Sequence, residues 1–199
     1  MNAEDQKIIS HTYADREGFQ NVSPWFLKLK ERGLHPEAIT MDGEQSVMRA
    51  IRLLWPEAKI QRCLYHILRQ GLSWIRTFPK TQAGRELRVL LRKLTAIQSF
   101  KDRDLFFDLY RQWFLAYRDF MKSLPDTTVA FKDLKRTVAL INHAIPDMFY
   151  YLNDTKIPAT TNALEGFYSR LKLDYRRHAG LSKKHKINYL SWYCYFKNN

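Results

Sequence analysis

Four side chains carry the chemistry this sequence can do: Asp42, Cys63, His66 and Glu165. Asp42 ends the apolar run Ala38-Ile39-Thr40-Met41 and is followed by Gly43. If that run is a strand in a parallel sheet, Asp42 lies at its carboxyl end, where open α/β sheets bind ligands. The bland alternative is a turn residue or a helix N-cap. Glu165 heads a polar helical face, because Glu165, Ser169, Lys172 and Arg176 recur at i, i+4, i+7 and i+11. A carboxylate leading a basic stripe suits a place where a metal ion meets a phosphate backbone. Locally, Asn162-x-x-Glu165 also fits a capping box, in which the glutamate bonds back to the N-cap amide. Cys63-x-x-His66 offers two metal donors, but a structural zinc takes four. No second pair stands at metal spacing, so Cys63 reads as a small buried residue.

The elements that must position these groups follow from pattern. Asp42-Gly43 stops the first strand with a turn. Val47, Met48, Ile51 and Leu54 form one stripe of an amphipathic helix that Pro56 ends. A second strand is expected from Ala58 to Gln61 and another helix from near Cys63, which makes a βαβ unit. Upstream, Lys7 to Ala14 alternates like a strand, with Asp15 in a turn after it. Ser23-Pro24 reads as a helix start, Trp25, Phe26 and Leu29 face inward, and Gly33 closes the helix. From Leu64 to about Asn153 the pattern is helical. Leu87, Leu90, Leu91, Leu94 and Ile97 make one stripe, Leu105, Leu109, Trp113 and Tyr117 a second, and Val138, Ile141 and Ile145 a third ended by Pro146. Phe106, Phe107, Tyr110, Trp113 and Phe114 read as core packing of this all-α region. Tyr150 to Pro158 connects to a helix running to about Arg177, with Leu164, Phe167, Tyr168, Leu171 and Tyr175 on its buried side. Ser182 caps a last helix, packed down by Ile187, Leu190, Tyr193 and Cys194.

The formal charge of the 199 residues is +13, which calls for an anionic partner. Nucleic acid is the usual one and a membrane surface the alternative. No run of 18 apolar residues is present, and Met1 to Asp5 is polar, so neither a membrane span nor a signal peptide is expected. Two cysteines make no disulfide framework, which points to a reducing, cytoplasmic setting. Basic residues gather in residues 61–93 and 160–199. Such contacts position DNA through its phosphates without reading its sequence.

Two blocks of motifs carry a resemblance. The first holds Thr40-Met41-Asp42-Gly43, Trp55-Pro56 and Gln61-Arg62-Cys63-Leu64-Tyr65-His66. The second holds Thr160-Thr161-Asn162-Ala163-Leu164-Glu165-Gly166-Phe167 and Arg176-Arg177-His178-Ala179-Gly180-Leu181-Ser182. In this order they resemble the Mutator-like DDE transposases of bacterial insertion sequences. The resemblance implies an α/β, partial ribonuclease H-like fold with a large all-α insertion, mostly helical in total. It implies a truncated α/β core over residues 1–70, an insertion over 71–157 and completing helices over 158–199. By the same resemblance the second catalytic aspartate is Asp42 and the final carboxylate Glu165, both ligands of Mg²⁺ or Mn²⁺. His66 then contacts the scissile phosphate or orients a ligand. Arg62, Arg69, Ser169, Lys172, Arg176 and Arg177 are the expected DNA contacts. The implied activity is DNA cleavage and strand transfer. Its partners are transposon ends and target DNA, with a second copy or a full-length transposase, in the nucleoid-associated cytoplasm.

The departure is at the front. The family's first aspartate sits on an earlier strand, and neither Asp5 nor Asp15 fits that place. The chain is therefore expected to be the C-terminal part of a catalytic domain, inactive alone. The alternative expectation is a non-catalytic DNA-binding or oligomerising fragment that modulates a full transposase.

Overall fold

The computed structural model describes every residue except Asp15, Glu17, Asp126, Ala179 and Asn199. The expected turn residue Asp15 and the motif residue Ala179 lie outside the described residues. Among these, two short strands are embedded in eight α-helices, so the chain is mixed α/β but mostly helical. The order is α1 (Phe19–Glu31), β1 (Ala38–Met41), α2 (Gln45–Leu54), β2 (Lys59–Arg62), α3 (Leu64–Ile75), α4 (Gln82–Lys93), α5 (Phe100–Ser123), α6 (Val129–Ala144), α7 (Asn162–Arg176) and α8 (Lys183–Asn198).

β1 and β2 pair in parallel, with Met41 opposite Arg62. The expected first strand has its observed bounds, and the second begins one residue later than its pattern suggested. Helices α1 and α2 cover this pair, with Leu29, Met48, Ile51 and Trp55 packing in one cluster with Ile60 of β2. α1 ends as expected. Gly33 adopts φ +88, and the Leu34 and Gly33 amides donate to the Leu29 and Lys30 carbonyls in a Schellman motif.

The start of α1 differs from expectation. It begins at Phe19, with Gly18 as N-cap, and Pro24 lies inside it rather than at its first position. Proline there leaves the Gln20 carbonyl without its helical donor. Gln20 is exposed, so water can take that place, while Trp25 and Phe26 still reach the apolar cluster.

Residues 64–149 build the largest apolar cluster, from α3, α4, α5 and α6. On α4 the expected stripe of Leu87, Leu90, Leu91 and Leu94 is buried. On α5 the buried face is Phe106, Tyr110, Trp113 and Met121, while Leu105 is exposed. The aromatics win this face because they bury more apolar area than the leucines and stack on one another.

The strand expected over Lys7 to Ala14 does not form. A strand needs a ladder partner, and this segment lies against α8 instead. The Asn198 side chain accepts the Ile8 N–H and donates to the Ile8 carbonyl, both at 2.8 Å. Ile8 joins a third cluster with Phe167, Leu171 and Cys194. No helix among the described residues is long and apolar enough to cross a membrane.

Candidate functional site

The helical region leaves the strand pair at Cys63 and returns beside it at Pro158. The return is anchored by Gln61, a fully buried amide on β2. Its Nε2 donates to the Met148 carbonyl at 2.7 Å and its Oε1 accepts the Tyr151 N–H at 3.3 Å. The strand ends then hold the returning chain directly. Thr40 Oγ1 donates to the Pro158 carbonyl at 2.8 Å, and the Leu64 N–H to the Ala159 carbonyl at 3.0 Å.

Asp42 follows the last residue of β1 and is exposed. Its carboxylate accepts the Glu44 N–H at 3.2 Å, a turn contact. Glu44, not Asp42, caps α2, accepting the Ser46 N–H at 3.1 Å and the Ser46 hydroxyl. These Ser46 bonds, the hydroxyl's first, hold the Glu44 carboxyl below the usual carboxylate range.

Cys63 is fully buried, and its N–H donates to the Met41 carbonyl at 2.7 Å, placing it beside the end of β1. Its sulfur accepts the Thr161 N–H at 3.3 Å. The Thr161 hydroxyl oxygen lies 3.4 Å from Cys63 Sγ, 3.5 Å from His66 Nδ1 and 3.0 Å from Glu165 Oε1. His66 Nδ1 stands 3.6 Å from Glu165 Oε1, both side chains about one-third exposed. Ligand-capable atoms of Cys63, His66 and Glu165 all lie within 4.8 Å of one another. Asp42 is not a member of that group, although its strand end adjoins Cys63.

The capping box that Asn162 and Glu165 suggested is absent. Thr161 is the N-cap of α7 and makes no side-chain cap bond. Its amide goes to the cysteine sulfur and its hydroxyl to the Glu165 carboxylate. Thr161 is thus a site residue that sequence reasoning did not single out. Its sequence signals were its place in the Thr160-Thr161-Asn162 motif and its position four residues before Glu165, which on a helix end puts the two on one face.

Arg62 is buried, 4% exposed, and its Nη2 donates to the Asp42 carbonyl at 3.3 Å. Its Nε has no hydrogen-bond partner among the described residues. Burial lowers its pKa from the usual guanidinium value, opposed by the charges of Asp147 and Asp42. Expected as a DNA contact, Arg62 is directed at the backbone of the Asp42 turn. Gly43, at φ +94, makes room for it: a Cβ there would stand 2.0 Å from the guanidinium carbon. Arg69, Ser169, Lys172, Arg176 and Arg177 are all exposed, and Arg177 lies 4.0 Å from Asp174.

Residues 2–178 match the family "Transposase, Mutator family". The chain belongs to the Mutator family of transposases. It is also similar to the transposase for insertion sequence element IS1201 of Lactobacillus helveticus, at 22% identity over 122 residues. That match covers 61% of this chain and 32% of the relative, so the chain spans about a third of that curated relative's length. No solved structure matches.

Proposed function

We propose that these residues form part of a DDE-type catalytic domain of a DNA transposase, on a ribonuclease H-like plan, with Asp42 and Glu165 as two of its metal-binding carboxylates. The observation that carries this reading is the return of residues 158–165 to the ends of the parallel strands. It brings Glu165 beside Cys63 and His66, next to the strand end that bears Asp42.

Asp42 and Glu165 are hard oxygen donors with solvent access, which fits Mg²⁺ or Mn²⁺. When bound, a pair of such ions stabilises the attacking and leaving oxygens of an in-line phosphoryl transfer. The chain's own groups do the rest. His66 lies within reach of Glu165 and can orient its carboxylate. The Arg62 guanidinium donates to the Asp42 carbonyl and so steadies the turn that carries the carboxylate. Lys172 and Arg176, on the exposed face that Glu165 heads, hold the DNA backbone. DNA is the partner this assigns.

The 199-residue chain by itself binds DNA and does not cut it. The support is the donor set among the described residues: Glu165 is the one carboxylate in the three-residue group, and Asp42 stands at the adjoining strand end. The experiment is Mn²⁺ binding followed by electron paramagnetic resonance, with a plasmid nicking assay alongside. Weak binding lost in both Asp42→Asn and Glu165→Gln, with no nicking, supports the reading. Mn²⁺ binding indifferent to both substitutions would overturn it.

A further inference from the structure

We infer that Cys63, His66, Glu165 and Thr161 form a second kind of metal site, one for a thiophilic divalent cation such as Zn²⁺, which competes with the proposed hard-metal chemistry for Glu165.

The argument is geometric and chemical. Zinc bonds sulfur at about 2.3 Å and nitrogen or oxygen at about 2.0–2.2 Å in a tetrahedron. Donor atoms around it are therefore separated by roughly 3.3–3.7 Å. His66 Nδ1 and Glu165 Oε1 are 3.6 Å apart, and the sulfur, nitrogen and carboxylate donors are all within 4.8 Å. Thr161 Oγ1 stands 3.4, 3.5 and 3.0 Å from those three atoms, which is where a fourth vertex falls. The sequence shows only the pair Cys63-x-x-His66; the fold adds the third and fourth donors from the start of α7.

The donor set also selects the ion. A thiolate and an imidazole suit Zn²⁺ and do not suit Mg²⁺ or Ca²⁺, which take oxygen. Binding converts the Cys63 thiol to a thiolate and releases its proton to solvent. Thr161, a neutral hydroxyl, is the weakest of the four and gives way most readily to water. An ion held here engages the Glu165 carboxylate. This consequence for activity rests on the DDE reading above; the site itself does not.

Cobalt(II) is the probe, titrated into the full chain under a non-thiol reductant. The expected result is one equivalent bound with a thiolate charge-transfer absorption, displaced by Zn²⁺. Cys63→Ser removes the absorption, while Cys194→Ser, altering the other buried cysteine, keeps it. His66→Ala and Glu165→Gln each weaken binding by at least the roughly tenfold that even outer partners of a metal carry. Asp42→Asn leaves Co²⁺ binding unchanged while removing Mn²⁺ binding, so failure of this inference and failure of the DDE reading give different results. An absent absorption in the folded chain overturns the inference. So does an absorption lost in Cys194→Ser but kept in Cys63→Ser. Should Cys63→Ser unfold, by far-UV circular dichroism, the partly exposed His66 decides: Co²⁺ affinity unchanged in His66→Ala overturns it.

Discussion

The Thr161 N–H donates to Cys63 Sγ at 3.3 Å, joining residues 98 apart in the chain. This contact fixes the N-terminus of α7 against the end of β2, and with it the position of Glu165. The Thr161 hydroxyl has one proton and two lone pairs. It meets three polar neighbours, Cys63, His66 and Glu165, and so can use all of that capacity.

Replacing that hydroxyl should therefore cost more than an average cap. Thr161→Val keeps the shape, loses the donor to Glu165, and should destabilise by about 1–2 kcal/mol. Thr161→Ser, which keeps the hydroxyl, should cost less than half of that. Urea unfolding of the two variants makes the comparison, and equal losses would show that the methyl group, not the hydroxyl, matters.

Gly43 is held at φ +94 with Arg62 directly beneath it. Gly43→Ala would strain the backbone by about 1–3 kcal/mol and push the guanidinium off the Asp42 carbonyl. A fall in thermal midpoint is expected, together with weaker Mn²⁺ binding. An unchanged midpoint would mean that the turn relaxes freely and that Arg62 does not hold it.

DNA affinity should fall steeply with salt, because each phosphate neutralised releases counterions. Charge reversal at Lys172 or Arg176, both exposed on α7, should weaken binding on every sequence tested and lower the salt slope by about one each. Fluorescence anisotropy across a salt series measures both. Sequence-selective losses would point to base contacts instead.

Tyr151 gives an alkaline test. Its hydroxyl donates to the Ile97 carbonyl at 2.8 Å, and burial, with Asp102 adding, raises its pKa from 10.0 to about 12. A folded pKa above the unfolded one means the stabilisation is fully present below pH 10.0. It is lost as pH rises from there toward about 12. Thermal midpoints should decline over that window, and the decline should be shallower in Tyr151→Phe. Parallel declines in the two proteins would assign the loss to other groups, Tyr110 first, whose pKa burial raises further.

Much of residues 38–64 was legible locally. An apolar run, a glycine turn and a 3.6-residue stripe specify strand, turn and helix without reference to distant residues. β1 has its expected bounds, α2 its expected stripe, and the parallel pairing follows from the intervening helix. Pattern also located the buried stripe of α4 and the Gly33 cap. It misread residues 7–14, because alternation marks an extended chain but cannot say whether a ladder partner exists. On α5 it read Phe106, Tyr110 and Trp113 rightly as core but put Leu105 on the buried stripe, since two apolar stripes overlap there and only the packing of α4 and α6 chooses between them.

The candidate site divides in the same way. Sequence determined the types and local setting of Asp42, Cys63, His66 and Glu165, and the basic face that runs down α7. Tertiary structure decided which of them meet. Gln61 holds Met148 and Tyr151, the chain after Ile157 is thereby delivered to the strand ends, and Thr161 and Glu165 arrive at Cys63 and His66. It also turned Arg62 inward under Gly43. The reason is physical: the route of the intervening helices is set by the summed burial of their apolar faces, a long-range quantity that no local spacing records.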